Sequence, residues 1–315
     1  MTMTVHLVRL LVLAVIFVNG WTDAPNAIAT AVGSGALTFR RGVALAAVCN
    51  FAGAALACLC FPAVAGTVGG LVAFDDPRLA VCVLNAALLS IVLWAAAAWR
   101  FGLPTSESHA LLAGLSGGAL ALGGGLARLN GRAWLMALAG LGLSLPAGIV
   151  AGRLFRRVLN GRLRRPALGQ RWAAALTALL HGVQDGQKFL ALLLLADGLD
   201  GGTDASRPAL ALLTAGVMAL GTALGGKPIV EKVGTELASL TPADALAADL
   251  GAGLVLAVCS ALGLPASTTH AKVAAVCGAG READRRVMGQ MAGAWVLTFP
   301  VCGAMAFALT RLMLL

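Results

Sequence analysis

The chain reads as an all-α integral membrane protein of two inverted-topology repeats, with broken helices, re-entrant helical hairpins and about ten membrane segments. Three observations lead there: a composition too apolar for water, apolar runs of bilayer-spanning length, and two polar motifs that each occur twice. Of 315 residues, 59 % are hydrophobic and 12 % charged, with a mean hydropathy of +0.88. A soluble domain carries about 25 % charged residues.

Apolar runs recur at 43–65, 79–99, 133–151, 172–196, 209–226, 246–262 and 287–312, each near the ~20 residues that cross a bilayer as a helix. Shorter segments broken by polar residues lie between them and raise the expected number of crossing or half-crossing elements to about ten. The opening run, 5–18, continues directly into a polar segment that has a copy later in the chain. It is therefore expected to stay as a membrane helix and not to act as a cleaved signal. All seven cysteines fall inside apolar segments and read as small core- or lipid-facing residues, not as disulfides or metal ligands.

The net charge of +9 is unevenly placed. Arg153, Arg156, Arg157, Arg162, Arg164, Arg165 and Arg171 crowd a segment with no acidic residue, and the positive-inside rule assigns such a loop to the cytoplasm. A basic loop between apolar runs is a topology signal, so no nucleic-acid partner is expected. The segment divides the chain into a first transmembrane repeat, 1–152, an arginine-rich cytoplasmic loop, 153–171, and a second transmembrane repeat, 172–315.

The repeats are visible in the motifs. LPTSESHA at 103–110 returns as LPASTTHA at 264–271, an offset of 161 residues, and NGWTDAPN at 19–26 is echoed by HGVQDGQK at 181–188, an offset of 162. Arg40 and Arg41 follow the first aspartate motif, whereas Asp197, Asp200 and Asp204 follow the second. Opposite charge at matching positions is what inversion across the membrane produces, and inverted repeats typify secondary transporters.

In each hydroxyl motif, proline fixes the entry and a Ser or Thr falls where a helix N-cap belongs. A helix start has unpaired N–H groups and partial positive charge, both favourable to an anion. Thr105, Ser106 and Ser108, with Ser267, Thr268 and Thr269, can donate to a tetrahedral oxyanion or cap the two helices. His109 and His270 position the motifs, titrate or simply pack. Glu107 stands where the second copy has Thr268. A carboxylate beside an anion must be protonated or paired, which makes Glu107 a candidate for coupling to a cation or proton.

Asp23 and Asp185 are charges within polar islands between apolar runs, and such residues are functional candidates because inserting a charge costs at least about 2.5 kcal/mol. Gly20, Pro25, Gly182 and Gly186 predict an unwound break at each aspartate, where carbonyls and a carboxylate hold a cation. Asn26 and Gln187 supply amide ligands, and His181 supports the second motif. Lys188, at the position of Asn26, either pairs with Asp185 or contacts the anion. One anion-favouring helix start and one cation-favouring break per half describe a cation-coupled anion symporter, with an anion channel as the rival reading. A serine hydrolase fits poorly, since two similar hydroxyl clusters replace one activated nucleophile, so no enzyme is expected.

On NGWTDAPNAIATAV, FGLPTSESHALLAGLSGGAL, HGVQDGQK and ALGGKPIVEKVGTELASLTPADALAADLGAGL followed by LGLPASTTHAKVAAVCGAG, the chain resembles the inorganic phosphate transporter (PiT) family. The resemblance implies inorganic phosphate as substrate, free or as a metal–phosphate complex, with sodium or proton as coupling ion and no cofactor. It points to Asp23, Asn26, Asp185, Gln187, Ser106, Ser108, Ser267, Thr268 and Thr269 as site residues. The commonest family motif has asparagine before each aspartate, where this chain has Thr22 and Gln184. Some members resemble sulfate carriers, so sulfate or another tetrahedral oxyanion is the alternative substrate. The expected setting is the lipid bilayer of a cytoplasmic membrane, with a homodimer open to the fold.

Overall fold

A computed structural model describes residues 2–60, 62–123, 125–159, 161–202 and 204–315. The helices are α1 (Thr2–Thr22), α2 (Asn26–Gly33), α3 (Phe39–Cys60), α4 (Ala63–Gly69), α5 (Pro77–Arg100), α6 (Glu107–Ala121) and α7 (Gly131–Leu159). They continue as α8 (Pro166–Gly198), α9 (Arg207–Leu224), α10 (Lys227–Glu231), α11 (Pro242–Ala261), α12 (Thr268–Ala279) and α13 (Arg285–Met313). Among the described residues no strand forms, and seven helical stretches are long and apolar enough to cross a membrane.

Local chemistry explains the helix starts. Proline opens α5, α8, α9 and α11, where its missing N–H costs nothing. Asp76 caps α5 by accepting from Arg78 N at 2.8 Å, Asp284 caps α13 by accepting from Arg286 N at 2.7 Å, and Thr241 with Asp244 forms a reciprocal capping box on α11.

Two sequence expectations are corrected. Gly20, Pro25, Gly182 and Gly186 predict a helix break at both aspartates, but only the first is broken. Asp23 N and Ala24 N share the carbonyl of Asn19, at 2.8 and 3.2 Å, and Pro25, which brings no N–H, separates α1 from α2. The second copy has Gln187 where the first has Pro25, so the hydrogen-bond ladder of α8 runs unbroken through Asp185. The second correction concerns 153–171, read as a loop. Arg153, Arg156 and Arg157 belong to α7 and Arg171 to α8, leaving a short connection between the two helices.

Glycines at Gly182 and Gly186 permit contact instead of causing a break. A Cβ on Gly182 would come within 2.2 Å of Asn50 O on α3, and one on Gly186 within 2.7 Å of Ala54 Cβ. Gly20, 162 residues earlier, does the same job on α1, where a Cβ would meet Met218 O of α9 at 2.2 Å. Small residues that let backbones touch are a general basis of helix association in membranes, where lipid removes the hydrophobic drive. The packing is reciprocal throughout: α3 lies on α8 and α9 on α1, α6 lies on α13 and α12 on α7.

Charged contacts gather the helix ends. Arg171 Nε donates to Ala36 O at 2.8 Å, and Arg156 reaches Asp244 at 3.4 Å and Gly280 O at 3.1 Å. Elsewhere Arg9 bridges Asp197 and Asp200, at 3.0 and 3.1 Å.

Overpacking should therefore be position-specific. Gly182→Val is expected to destabilise by about 1–3 kcal/mol or more, lowering the thermal midpoint of the purified protein. Gly142→Ala, with open space around its Cβ position, should leave it unchanged.

Candidate functional site: two helix starts and two buried aspartates

The two hydroxyl motifs fold alike because each is preceded by a glycine in the left-handed region, Gly102 with φ 64° and Gly263 with φ 66°. Only glycine enters that region without strain. The chain then extends through proline, and Ser106 and Ser267 become the N-caps. Ser106 Oγ accepts from His109 N at 3.3 Å and Ser267 Oγ from His270 N at 3.2 Å. Each serine thus caps its helix as an acceptor, which leaves its hydroxyl proton to donate elsewhere. Among the described residues, the N–H groups of Glu107 and Ser108, and of Thr268 and Thr269, stay unpaired as the remaining donors of the two first turns.

The starts of α6 and α12 are cross-linked. Thr269 Oγ1 lies 3.0 Å from Thr105 O, and Ser108 Oγ lies 3.2 Å from Ala266 O. The Ser108 hydroxyl donates to the backbone of the opposite motif, while the single proton of the Thr269 hydroxyl serves either Thr105 O or Asp23.

The aspartates complete the centre. Asp23, which sits in the break between α1 and α2, receives Thr268 Oγ1 on Oδ2 at 2.9 Å, Asn26 Nδ2 on Oδ1 at 2.8 Å, and the hydroxyl of Thr269. Asp185, on continuous α8, receives Lys188 Nζ at 2.5 Å and Asn19 Nδ2 at 2.9 Å, and lies 3.4 Å from His181 Nε2. His181 Nδ1 in turn lies 2.9 Å from Asn50 Oδ1. Ligand atoms of Asp23, His181 and Asp185 all fall within 4.8 Å of one another, so the carboxylates of the two motifs meet. Both are almost completely buried. A buried carboxylate is tolerable only with charge-assisted bonds or a cation.

Three acceptor oxygens in this neighbourhood lack partners: Asn19 Oδ1, Asn26 Oδ1 and Glu107 Oε2. Thr22 Oγ1 lies 2.8 Å from both Glu107 Oε1 and Val18 O, and its single proton serves one of them. Unpaired buried acceptors around carboxylates are what a cation site requires, and a polar interior leaves few such groups otherwise.

Other expected residues stand elsewhere. Gln187 faces away from the aspartates: its Oε1 accepts from Val64 N at 3.0 Å and its Nε2 donates to Val183 O at 2.8 Å, so it holds the start of α4. His109 and His270 stack on each other with centroids 4.5 Å apart, flanked by Phe299 and Trp295. They line an apolar groove of about 440 Å³, where they pack against these rings. Lys188 spends all three N–H donors on Asp185, Ser108 Oγ and Ala266 O. Of the two roles open to it, it takes the pairing one.

Sequence reasoning passed over Asn19, although it occupies the position of His181 in the repeat, and marked Thr22 only as a departure from the family motif. It also passed over a second buried pair, Lys272 with Asp249. Around this pair Thr30 Oγ1 donates to Asp249 at 2.7 Å, Gln170 Nε2 to Asp249 at 2.8 Å, and Lys272 Nζ to Ala27 O at 3.2 Å. A lone charge within an apolar run was the available signal.

A model of the phosphate transporter family matches residues 19–167 and 166–306. The chain belongs to the phosphate transporter family. Membership in a family of transporters sets aside the hydrolase reading, and this member is a multi-pass membrane protein. It is similar to a Bacillus subtilis (strain 168) protein named a probable low-affinity inorganic phosphate transporter, 31 % identical over 96 % of this chain and 95 % of the relative. A Rhizobium meliloti (strain 1021) protein of the same name is 34 % identical over 90 % and 89 %. The fold is shared with a solved structure described as the sodium-dependent phosphate transporter, with a TM-score of 0.85 over 99 % of both chains at 21 % identity.

Three substitutions test the supporting contacts. Gln187→Ala strands the buried Val64 N–H and is expected to cost about 1–3 kcal/mol in unfolding free energy without changing anion affinity. Ser106→Ala and Ser267→Ala should each cost about 1 kcal/mol as lost caps, read as lower thermal midpoints.

Proposed function

We propose that this family member is a cation-coupled symporter that carries inorganic phosphate across the cytoplasmic membrane, at a site between two inverted-topology repeats. The observation that carries the reading is the meeting of Asp23 and Asp185 beside two cross-linked helix starts. Free N–H groups and hydroxyls of α6 and α12 suit a tetrahedral anion. The carboxylates and orphan oxygens a few ångströms away suit a cation, sodium or proton, and Glu107 adds a carboxyl found on one side only. Ser106 and Ser267, which act only as acceptors in their caps, are with Thr105, Ser108, Thr268, Thr269 and Asn26 the substrate-side residues in this reading.

Coupling has a physical motive. An anion entering a cell that is negative inside works against about 2.3 kcal/mol per charge per 100 mV, and a co-transported cation offsets that work. The two-repeat reading draws support from the reciprocal helix packing and from glycines doing one job at equivalent positions. The basic groups around Arg156 and Arg171, held to the ends of α7, α8 and α12, mark the cytoplasmic side by the positive-inside rule.

Uptake of labelled phosphate into proteoliposomes, with sodium and pH gradients imposed separately and sulfate as competitor, tests the reading. Phosphate should accumulate only when a cation gradient is present, and Asp23→Asn should reduce uptake by about tenfold or more, the equivalent of ~1.4 kcal/mol. Equal accumulation without any gradient would fit a channel, and stronger competition by sulfate than by phosphate would reassign the substrate.

A further inference from the structure

We propose that Lys188 is a tethered cation that permanently fills one of two equivalent cation cages, leaving the cage at Asp23, where a neutral amide stands in place of the lysine, as the one that takes a cation from solution. The inference rests on the symport reading above and concerns how many coupling ions the site takes.

The first cage is occupied. Lys188 Nζ is held by Asp185 Oδ1 at 2.5 Å, Ala266 O at 2.6 Å and Ser108 Oγ at 2.7 Å. A carboxylate, a backbone carbonyl and a hydroxyl are hard oxygen donors that would equally coordinate an alkali cation. Both the lysine and its carboxylate are about 1 % exposed, so the ammonium stands in a closed, low-dielectric environment in which its charge needs these oxygens.

The second cage follows by moving each oxygen through the repeat. Asp185 corresponds to Asp23 at an offset of 162, while Ser108 corresponds to Thr269, and Ala266 to Thr105, at an offset of 161. The three corresponding oxygens are together in the structure: Thr269 Oγ1 touches the Asp23 carboxylate and lies 3.0 Å from Thr105 O. Residue types are conserved in chemistry, carboxylate for carboxylate, hydroxyl for hydroxyl and carbonyl for carbonyl.

Only the occupant differs. Lys188 corresponds to Asn26, whose amide Nδ2 contacts Asp23 Oδ1 at 2.8 Å and Thr269 Oγ1 at 3.2 Å. An amide brings no charge, and Asn26 Oδ1 is buried without a partner. Rotating that amide would turn its oxygen toward the cage, the exchange of O and N being the usual freedom of an asparagine. Asp185 thus has a resident positive charge and Asp23 has none, so one half of the site needs a cation from solution and the other does not.

Lys188→Asn, which copies the Asn26 arrangement, tests this with the purified full-length protein in detergent. Thermal midpoints of wild type, Lys188→Asn and Asp185→Asn/Lys188→Asn are compared in sodium chloride and in N-methyl-D-glucamine chloride at equal ionic strength. Lys188→Asn should gain a sodium-dependent rise in midpoint beyond that of wild type, and the double variant should lose that extra rise. An identical sodium response in wild type and Lys188→Asn overturns the proposal. The readout needs no phosphate, so a wild-type chain that fails to carry phosphate defeats the symport reading while this comparison still decides the cage. Should Lys188→Asn not fold, the wild type decides: the cation, sodium or proton, that drives phosphate uptake should act with a Hill coefficient of about 1, and a value approaching 2 overturns the single cage that takes a cation from solution.

Discussion

Burying two carboxylates side by side in the interior of an apolar bundle is the constraint on which this structure turns. Each would be untenable alone, since an unpaired charge in a low-dielectric environment costs several kcal/mol. The chain resolves this by having the two hydroxyl motifs and the two aspartate motifs compensate one another across the repeats. Asp23 receives Thr268 and Thr269 from the second half, while Asp185 receives Asn19 from the first. Neither half has a satisfied centre without its partner, which ties folding of the whole to the integrity of the site.

The supporting fold serves that arrangement. Glycines let α1 touch α9 and α8 touch α3 at backbone distance, so the helix leading into Asp23 and the helix bearing Asp185 are each held against a neighbour. The caps on α6 and α12, and the link from the Ser108 hydroxyl to Ala266 O between them, fix the orientation of the two first turns. Preorganised donors of this kind bind an anion without first spending energy on ordering themselves.

Much of this was legible in the sequence. Apolar runs located the long helices, and proline followed by hydroxyls located the starts of α6 and α12, because those signals are local. The error at Asp185 came from reading glycine as a breaker when its small size was serving tertiary contact with Asn50 and Ala54; that distinction depends on a partner helix far away in the chain. Gln187 was misplaced for a similar reason: its partner, Val64 N, belongs to a short helix that composition alone does not single out. The Lys272–Asp249 pair was missed because two isolated charges in separate apolar runs become a pair only when α11 and α12 meet. Lys188 could be narrowed to two roles from sequence, and counting its three donors against three nearby oxygens separated them.

If the two helix starts and the two aspartates form one site, the bound anion must sit between them. A high-resolution electron-microscopy map, or an anomalous-scattering experiment, with arsenate in place of phosphate would locate it. The expected result is anion density within hydrogen-bonding reach of the first turns of both α6 and α12. Arsenate found instead only among Arg153, Arg157 and Arg281, which line a separate basic pocket, with the centre empty, would contradict the account.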